Sequence, residues 1–426
     1  MEQMLYSRNE EGRSAGRAPR IRTVRVALAG CGVVGSELLR LLDAQAEAIE
    51  RERGLRFEVV RVLVRHPSRE RAVPLGRERF SGDLEEFLAA DSDLVVEAMG
   101  GVEPALQIAE ATLRAGRDFV TANKALVAAH GPTLNRLAHR HGVRLDFESA
   151  VGGGIPVVRA LRDSLRGSGV TRLRGILNGT CNYVLTRLAE GESYAAALAD
   201  AQERGFAEAD PTRDVDGQDA ADKIAVLAWL AFGAEPDRLP IRCRGIVPDP
   251  DRLASDARSV EGVVRLVAEC LRLGDGVAAS VEPVIVAPDS ELARTRGEQN
   301  AVLLDTRWNG VIRLAGPGAG GGPTASVLLA DMLRGAAPIP EAAPATAAGV
   351  PDTRHHRWLV SVLPATAAEQ RLDDALLRAG IDAGKLRRFD DAVRAVTPPA
   401  AWSQVAGVER ELAAAGLRPL ITRAEL

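Results

Sequence analysis

"VALAGCGVVGSELLR", residues 26–40, decides the fold. An apolar run reads as a short strand and leads straight into Gly30, Gly32 and Gly35, and a helix pattern follows at 34–50. A G-x-G-x-x-G turn with a strand before it and a helix opening on it has a physical use. The first glycine permits the tight turn, the second lets a pyrophosphate approach the backbone, and the third lets helix and strand pack closely. The free amides of the helix N-terminus, including those of Val33 and Val34, then point at the phosphates. The stretch predicts a dinucleotide site.

Outward from it, further strands are expected at 57–64, 93–100 and 118–124, with a helix at 104–115. Strand alternating with helix at this spacing predicts an α/β fold, a Rossmann-type doubly wound parallel sheet over 21–150. The second strand ends in "VLVRHPSRER" (62–71), with Arg65 and His66 where an acidic residue would hold a free ribose 2′-hydroxyl. A cation there suits a 2′-phosphate, so NADP(H) is expected ahead of NAD(H), while Arg65 also reads as a solvated arginine. Arg69 and Arg71 follow it as weaker candidates.

The stretch 151–315 mixes helices with strands such as "SVEPVIVAP" (280–288) and reads as a second α+β domain for substrate binding and dimerisation. Residues 316–334 hold a second glycine-rich loop and a helix opening at Pro323-Thr324, read as returning to the dinucleotide domain. "GAAPIPEAAPATAAGVPD" (335–352) has no apolar periodicity and reads as a linker. Beyond it, 353–426 gives strand, helix, two strands, helix and strand, the order of a small ferredoxin-like module. Residues 1–20 are charged, lack an apolar signal core and read as a disordered tail.

The 426 residues suffice for two or three domains, and 46% hydrophobic with 26% charged residues fit a globular protein. A net charge of −4 offers no basic field for nucleic acid, and the apolar runs are too short for a membrane span. The four cysteines (31, 181, 243 and 270) lack metal or disulfide-framework spacing, which suits a reduced cytoplasm.

Only three of the 54 basic residues are lysine: Lys124, Lys223 and Lys385. Arginine serves a salt bridge or phosphate contact as well or better, but it stays protonated, whereas a lysine can exchange protons. Lys223 follows Glu208, Asp210, Asp214, Asp216, Asp219 and Asp222, and Asp219 stands one helical turn before it. That pattern fits an acidic helix start with a solvated ion pair. It equally fits a carboxylate cluster holding an ammonium group beside a catalytic lysine. Lys124, just after a strand, stands at the edge where open α/β sheets bind ligands.

"FESAVGGGIPV" (147–157) joins Glu148 to a glycine run, read either as an interdomain hinge or as a carboxylate with carbonyls around a hard cation. His355 and His356 lack partner spacing and read as structural.

In order along the chain, "GCGVVG", "TANKALVAAHG", "ESAVGGGIPV", "GILNGTCNYVL", "GFAEADPTRDVDGQDAADKIAVLA" and "GPGAGGGPTAS" resemble homoserine dehydrogenase over about residues 22–334. With no aspartate-kinase region ahead of the dinucleotide domain, the resemblance is to the monofunctional form. It implies interconversion of L-homoserine and L-aspartate 4-semialdehyde with NAD(P), a step toward threonine, isoleucine and methionine. Lys223 resembles the catalytic lysine, and Glu208 and Asp219 the residues that hold the substrate. Lys124 resembles the lysine near nicotinamide and the reacting oxygen, and Gly205 and Gly320 resemble cofactor contacts. Glu148 with the carbonyls of Val151, Gly153 and Ile155 resembles a monovalent-cation site (Na+ or K+). "GILNGTCNYVL" takes no chemical role. The resemblance further implies a homodimer or homotetramer joined partly through a sheet, and an ACT-like C-terminal module. Its turn "VLPATAAEQ" (362–370) lacks the proline-glycine of effector-binding ACT domains, which argues against effector binding. Three other functions compete: a related dehydrogenase acting on another amino acid, an aldehyde-oxidising phosphorylating dehydrogenase with Cys181 as nucleophile, and an amino-acid sensor without activity.

Overall fold

The computed structural model describes residues 21–334, 349–382, 384, 386–389 and 391–425. The expected tail at 1–20 and most of the expected linker lie outside them, as does Lys385.

The first sheet is parallel throughout, in the order β3-β2-β1-β4-β5-β6. Its strands are β1 (Arg22–Ala29), β2 (Leu55–Leu63), β3 (Phe80–Ser81), β4 (Leu94–Glu97), β5 (Asp118–Thr121) and β6 (Leu145–Asp146). The last four residues of β1 and all of β4 are buried, as strands covered on both faces must be. Helices α1 (Val33–Arg53), α2 (Leu84–Leu88), α3 (Ala105–Arg114) and α4 (Lys124–His141) connect them. Chain order reverses between β1 and β4, and the crevice at such a switch point is where open α/β sheets bind ligands.

The second domain opens with the short helix α5 (Val157–Arg159) and strand β7 (Val170–Ile176). Helices α6 (Gly179–Ala189), α7 (Tyr194–Glu203), α8 (Thr212–Val215) and α9 (Gln218–Phe232) follow. Strand β8 (Ile241–Cys243) and helix α10 (Pro250–Ser259) precede a long hairpin of β9 (Val263–Leu273) and β10 (Gly276–Val286). A second hairpin, β11 (Gln299–Thr306) with β12 (Gly310–Pro317), completes this part.

Helix α9 is buried almost all round, which suits a helix enclosed by a sheet on one side and another domain on the other. Trp229 makes that second contact. Its ring stacks on Phe147, with centroids 5.8 Å apart, and a Cβ on Gly131 of α4 would lie 3.1 Å from it. This packing carries Lys124, the first residue of α4, up to α9. The chain then returns. Helix α11 (Gly321–Met332) starts two residues earlier than its Pro-Thr pair suggests. It buries Ala325, Leu328, Leu329 and Met332 in one core with Val26, Leu28, Leu38 and Leu39.

The C-terminal part runs β13 (His355–Leu363), α12 (Ala365–Arg378), β14 (Arg387–Arg388), β15 (Val393–Val396), β16 (Ala400–Ala401), α13 (Trp402–Ala414) and β17 (Arg418–Glu425). It has its own core, built on Trp358, Val360 and Val362. Its sheet is not separate, however. Strand β17 pairs in parallel with β10, giving one order of β12-β11-β7-β9-β10-β17-β13-β15-β14. The joint is ionic: the buried Arg423 lies 2.9 Å from Glu269 and 3.2 Å from Glu282.

Candidate active site

Three glycine-rich segments meet at the switch point. Gly30 has a φ of +98°, and a Cβ there would stand 2.7 Å from the carbonyl of Ala98. A Cβ on Gly35 would collide with the carbonyl of Gly30, so this position fixes the closeness of helix and strand. At Gly32 a Cβ would meet nothing within 4 Å among the described residues. The two outer glycines serve packing, and the middle one faces open space. Val33 stands 75% exposed beside it, an apolar side chain left uncovered at a helix N-terminus.

The second glycine loop closes on this turn. A Cβ on Gly321 would lie 2.9 Å from Val33, Gly320 precedes α11, and Gly154 donates to the carbonyl of Pro317 at 3.0 Å. Arg65 is exposed just beyond β2, and Gly205 is exposed just beyond α7. The hydroxyl of Ser149 is buried with no hydrogen-bond partner among the described residues. An open glycine turn, an uncovered helix end and an exposed cation beyond β2 fit a dinucleotide.

Asp219 is the centre of the polar cluster. One of its oxygens accepts from Lys124, and the other accepts from Lys223 at 2.8 Å and from Asn178 at 2.9 Å. Lys223 also donates to the carbonyl of Leu177 at 2.7 Å. Burial alone would push the Asp219 carboxyl up, but the ammonium groups of Lys223 and Lys124 prevail and hold it well below the usual carboxylate range. One lysine comes from the first domain and the other from the second, so the carboxylate pins the two together.

The other acidic residues divide. Asp214 faces the cluster, accepting from Asn178 at 2.7 Å and Thr180 at 3.1 Å. Asp210 and Asp216 hold the local backbone at Thr212 and Gln218, and Asp222 pairs with Arg213 at 2.7 Å. Glu208 is exposed on the loop after α7, where its carbonyl accepts from Gln202. No hydrogen bond joins its side chain to Asp219 among the described residues.

Glu148 is buried at the end of β6. Its carboxylate accepts from the amides of Val158 and Arg159 at 2.7 and 2.6 Å, so it caps the helix that follows. Burial and the neighbouring Asp331 push its pKa up to about 7. Ile155 offers a carbonyl already used by Val157, whereas those of Val151 and Gly153 accept from no amide among the described residues. Those oxygens fit a cation ligand set better than the carboxylate does. No helix among the described residues is long and apolar enough to cross a membrane.

Cys181 is fully buried, which does not suit a nucleophile. Burial first, then the charges of Asp214, Asp219 and Asp216, raise its pKa well above that of a free thiol, and its Sγ lies 3.1 Å from the carbonyl of Asp214. Residues that sequence reasoning missed include Asn178, Thr180, Asp331 and Glu97. Asn178 could have been found as the Asx cap of α6, but its partners come from α8 and α9. Glu97 accepts from Met99, Gly100 and Thr121 and so shapes the loop beside Gly30.

A doubly wound sheet with an open glycine turn, facing a second domain that holds a lysine–carboxylate pair, defines an NAD(P)-dependent oxidoreductase. The family model described as homoserine dehydrogenase, NAD binding domain, matches residues 30–148, and that described as homoserine dehydrogenase matches 156–333. The chain belongs to the homoserine dehydrogenase family. It is 39% identical to homoserine dehydrogenase of Synechocystis sp. over 329 residues, which covers 73% of each chain. It is 39% identical to that of Mycobacterium tuberculosis over 320 residues, 74% of this chain and 72% of the other. A crystal structure of a homoserine dehydrogenase from Thiobacillus denitrificans superposes with a TM-score of 0.83 at 28% identity, covering 95% and 98% of the two chains. A hyperthermophilic archaeal homoserine dehydrogenase in complex with NADPH gives 0.63 at 27% identity, covering 73% and 97%.

Proposed function

We propose that this chain interconverts L-homoserine and L-aspartate 4-semialdehyde with NADP(H) in preference to NAD(H), on the route to threonine, isoleucine and methionine. The observation that carries the reading is the bridge from Lys223 through Asp219 to Lys124. In the oxidising direction the neutral amine of Lys223 takes the proton of the substrate's C4 hydroxyl. In the reducing direction its ammonium returns that proton to the aldehyde oxygen. Lys124 stabilises charge developing on the same oxygen. Asp219 orients both lysines and the substrate, and Glu208 takes the substrate's ammonium group. When bound, the nicotinamide would supply the hydride chemistry at C4 of the substrate.

Gly30, Gly32 and Gly35, the amides of Val33 and Val34, Lys124, Gly205 and Gly320 would hold the cofactor, with Arg65 on a 2′-phosphate. A monovalent cation (Na+ or K+) would sit among the oxygens of Glu148, Val151, Gly153 and Ile155, bracing the interdomain turn. The C-terminal residues form an ACT-like module in this reading. Trp308 and Val311 are 80% and 62% exposed on the β11–β12 hairpin, which supports a homodimer or homotetramer formed through that sheet edge. The test is NADPH oxidation driven by L-aspartate 4-semialdehyde, compared with NADH. Absence of turnover with either cofactor sinks the reading.

A further inference from the structure

The segment "LNGT" (177–180) has no part in the chemistry so far, yet it touches every member of the lysine–carboxylate cluster on the second domain. Asn178 caps α6: its side-chain oxygen accepts from the amide of Cys181 at 2.7 Å. A backbone N–H can be met only by the oxygen of that carboxamide, so the cap fixes which way the side chain lies. Its nitrogen is thereby turned toward two carboxylates, donating to Asp214 at 2.7 Å and to Asp219 at 2.9 Å. Both its hydrogens are used. The residue before it, Leu177, gives its carbonyl to Lys223.

We infer that Asn178 is a positioning residue of the reaction, holding the Asp219 carboxylate in the place from which it aims Lys223. Two carboxylates facing each other across a partly buried space repel, and a neutral double donor between them offsets that repulsion without adding charge. An aspartate here would keep the shape and the cap but reverse the donor's polarity. A serine would keep a capping oxygen and lose the reach. The hydrogen bonds of the cluster join Lys223 to Asp219 on its own helix, Asp219 to Lys124 from α4, and, through Asn178, Asp219 to Asp214 from α8. Asn178 is the neutral member that bridges the two carboxylates. The inference rests on Lys223 as the proton-transfer group.

The test is the pH dependence of kcat and KM for L-homoserine oxidation in wild type, Asn178→Ser, Asn178→Asp and Lys223→Arg, with thermal unfolding recorded for each. Asn178→Ser is expected to unfold like wild type and to lose about tenfold or more in kcat, the worth of a hydrogen bond to a charged group. In Asn178→Asp the added negative charge favours the ammonium, so the pH at which kcat rises moves up by about one unit. A purely structural cap would move the melting temperature and leave that pH in place. Wild-type kcat and pH midpoint in a folded Asn178→Ser or Asn178→Asp variant overturns the inference. If Lys223→Arg is then inactive, the reading of Lys223 stands alone; an active Lys223→Arg enzyme removes both.

Discussion

The ammonium of Lys223 lies 2.8 Å from Oδ2 of Asp219, one turn earlier on the same buried helix. The other oxygen of that carboxylate meets Lys124 across the domain boundary. A buried carboxylate between two ammonium groups is a fixed electrostatic device, and it gives the first two predictions.

Replacing Lys223 by arginine keeps the charge beside Asp219 but removes a group able to give up its proton. Turnover should fall by about 10² or more, with NADPH binding unchanged when followed by fluorescence titration. Near-normal turnover would end the proton-transfer role.

Asp219→Asn leaves the buried ammonium of Lys223 and the half-exposed one of Lys124 without their counter-charge, and loss of one partner of a buried pair such as Asp219–Lys223 costs about 3–5 kcal/mol. Loss of the negative charge favours the neutral amine. The pH at which kcat for homoserine oxidation rises should therefore move down, opposite to the shift expected for Asn178→Asp. A pH–rate series on the two variants checks the signs.

The glycine turn separates packing from binding. Gly35→Ala drives a methyl group into the carbonyl of Gly30 and should destabilise the fold by about 1–3 kcal/mol in urea unfolding. Gly32→Ala meets no atom of the described residues within 4 Å, so its unfolding curve should match wild type while NADPH affinity drops. Equal affinity in Gly32→Ala would place the pyrophosphate elsewhere.

Arg65 is exposed just beyond β2. Arg65→Ala should weaken NADPH by about tenfold or more, the value of a charge-assisted hydrogen bond, and leave NADH nearly unaffected. Equal losses for both cofactors would take Arg65 off the 2′-phosphate.

Glu269 joins the C-terminal module to the second domain. Burial alone would raise its carboxyl, but Arg423, Arg354 and Arg172 hold it well below the usual range. Its folded pKa is depressed, so its stabilisation is present above the ordinary value of 4.5 and is lost as the pH falls below it. Glu269→Gln should flatten the fall of melting temperature on acidification. An unchanged acid limb would mean that the joint does not depend on this charge.

The first sheet was legible because its signal is local. A strand, three glycines at fixed spacing and a helix start lie within fifteen residues, and each glycine's use follows from the backbone alone. Lys223 and Asp219 were legible as a pair because four residues along a helix put two side chains on one face. The resemblance carried the remaining site residues but left Asn178 without a role, since nothing in "LNGT" says which carboxylates will face it.

By itself the sequence determined the doubly wound sheet, the glycine turn and the lysine that stands one turn after Asp219. The tertiary structure alone decided that α4 packs on α9 through Gly131 and Trp229, bringing Lys124 to the same carboxylate. It also decided that β17 completes the second domain's sheet beside β10. Both are contacts between segments far apart in the chain. Periodicity reports which face of an element is apolar, but the element that covers it depends on the shapes and charges of two surfaces that meet only in the folded protein.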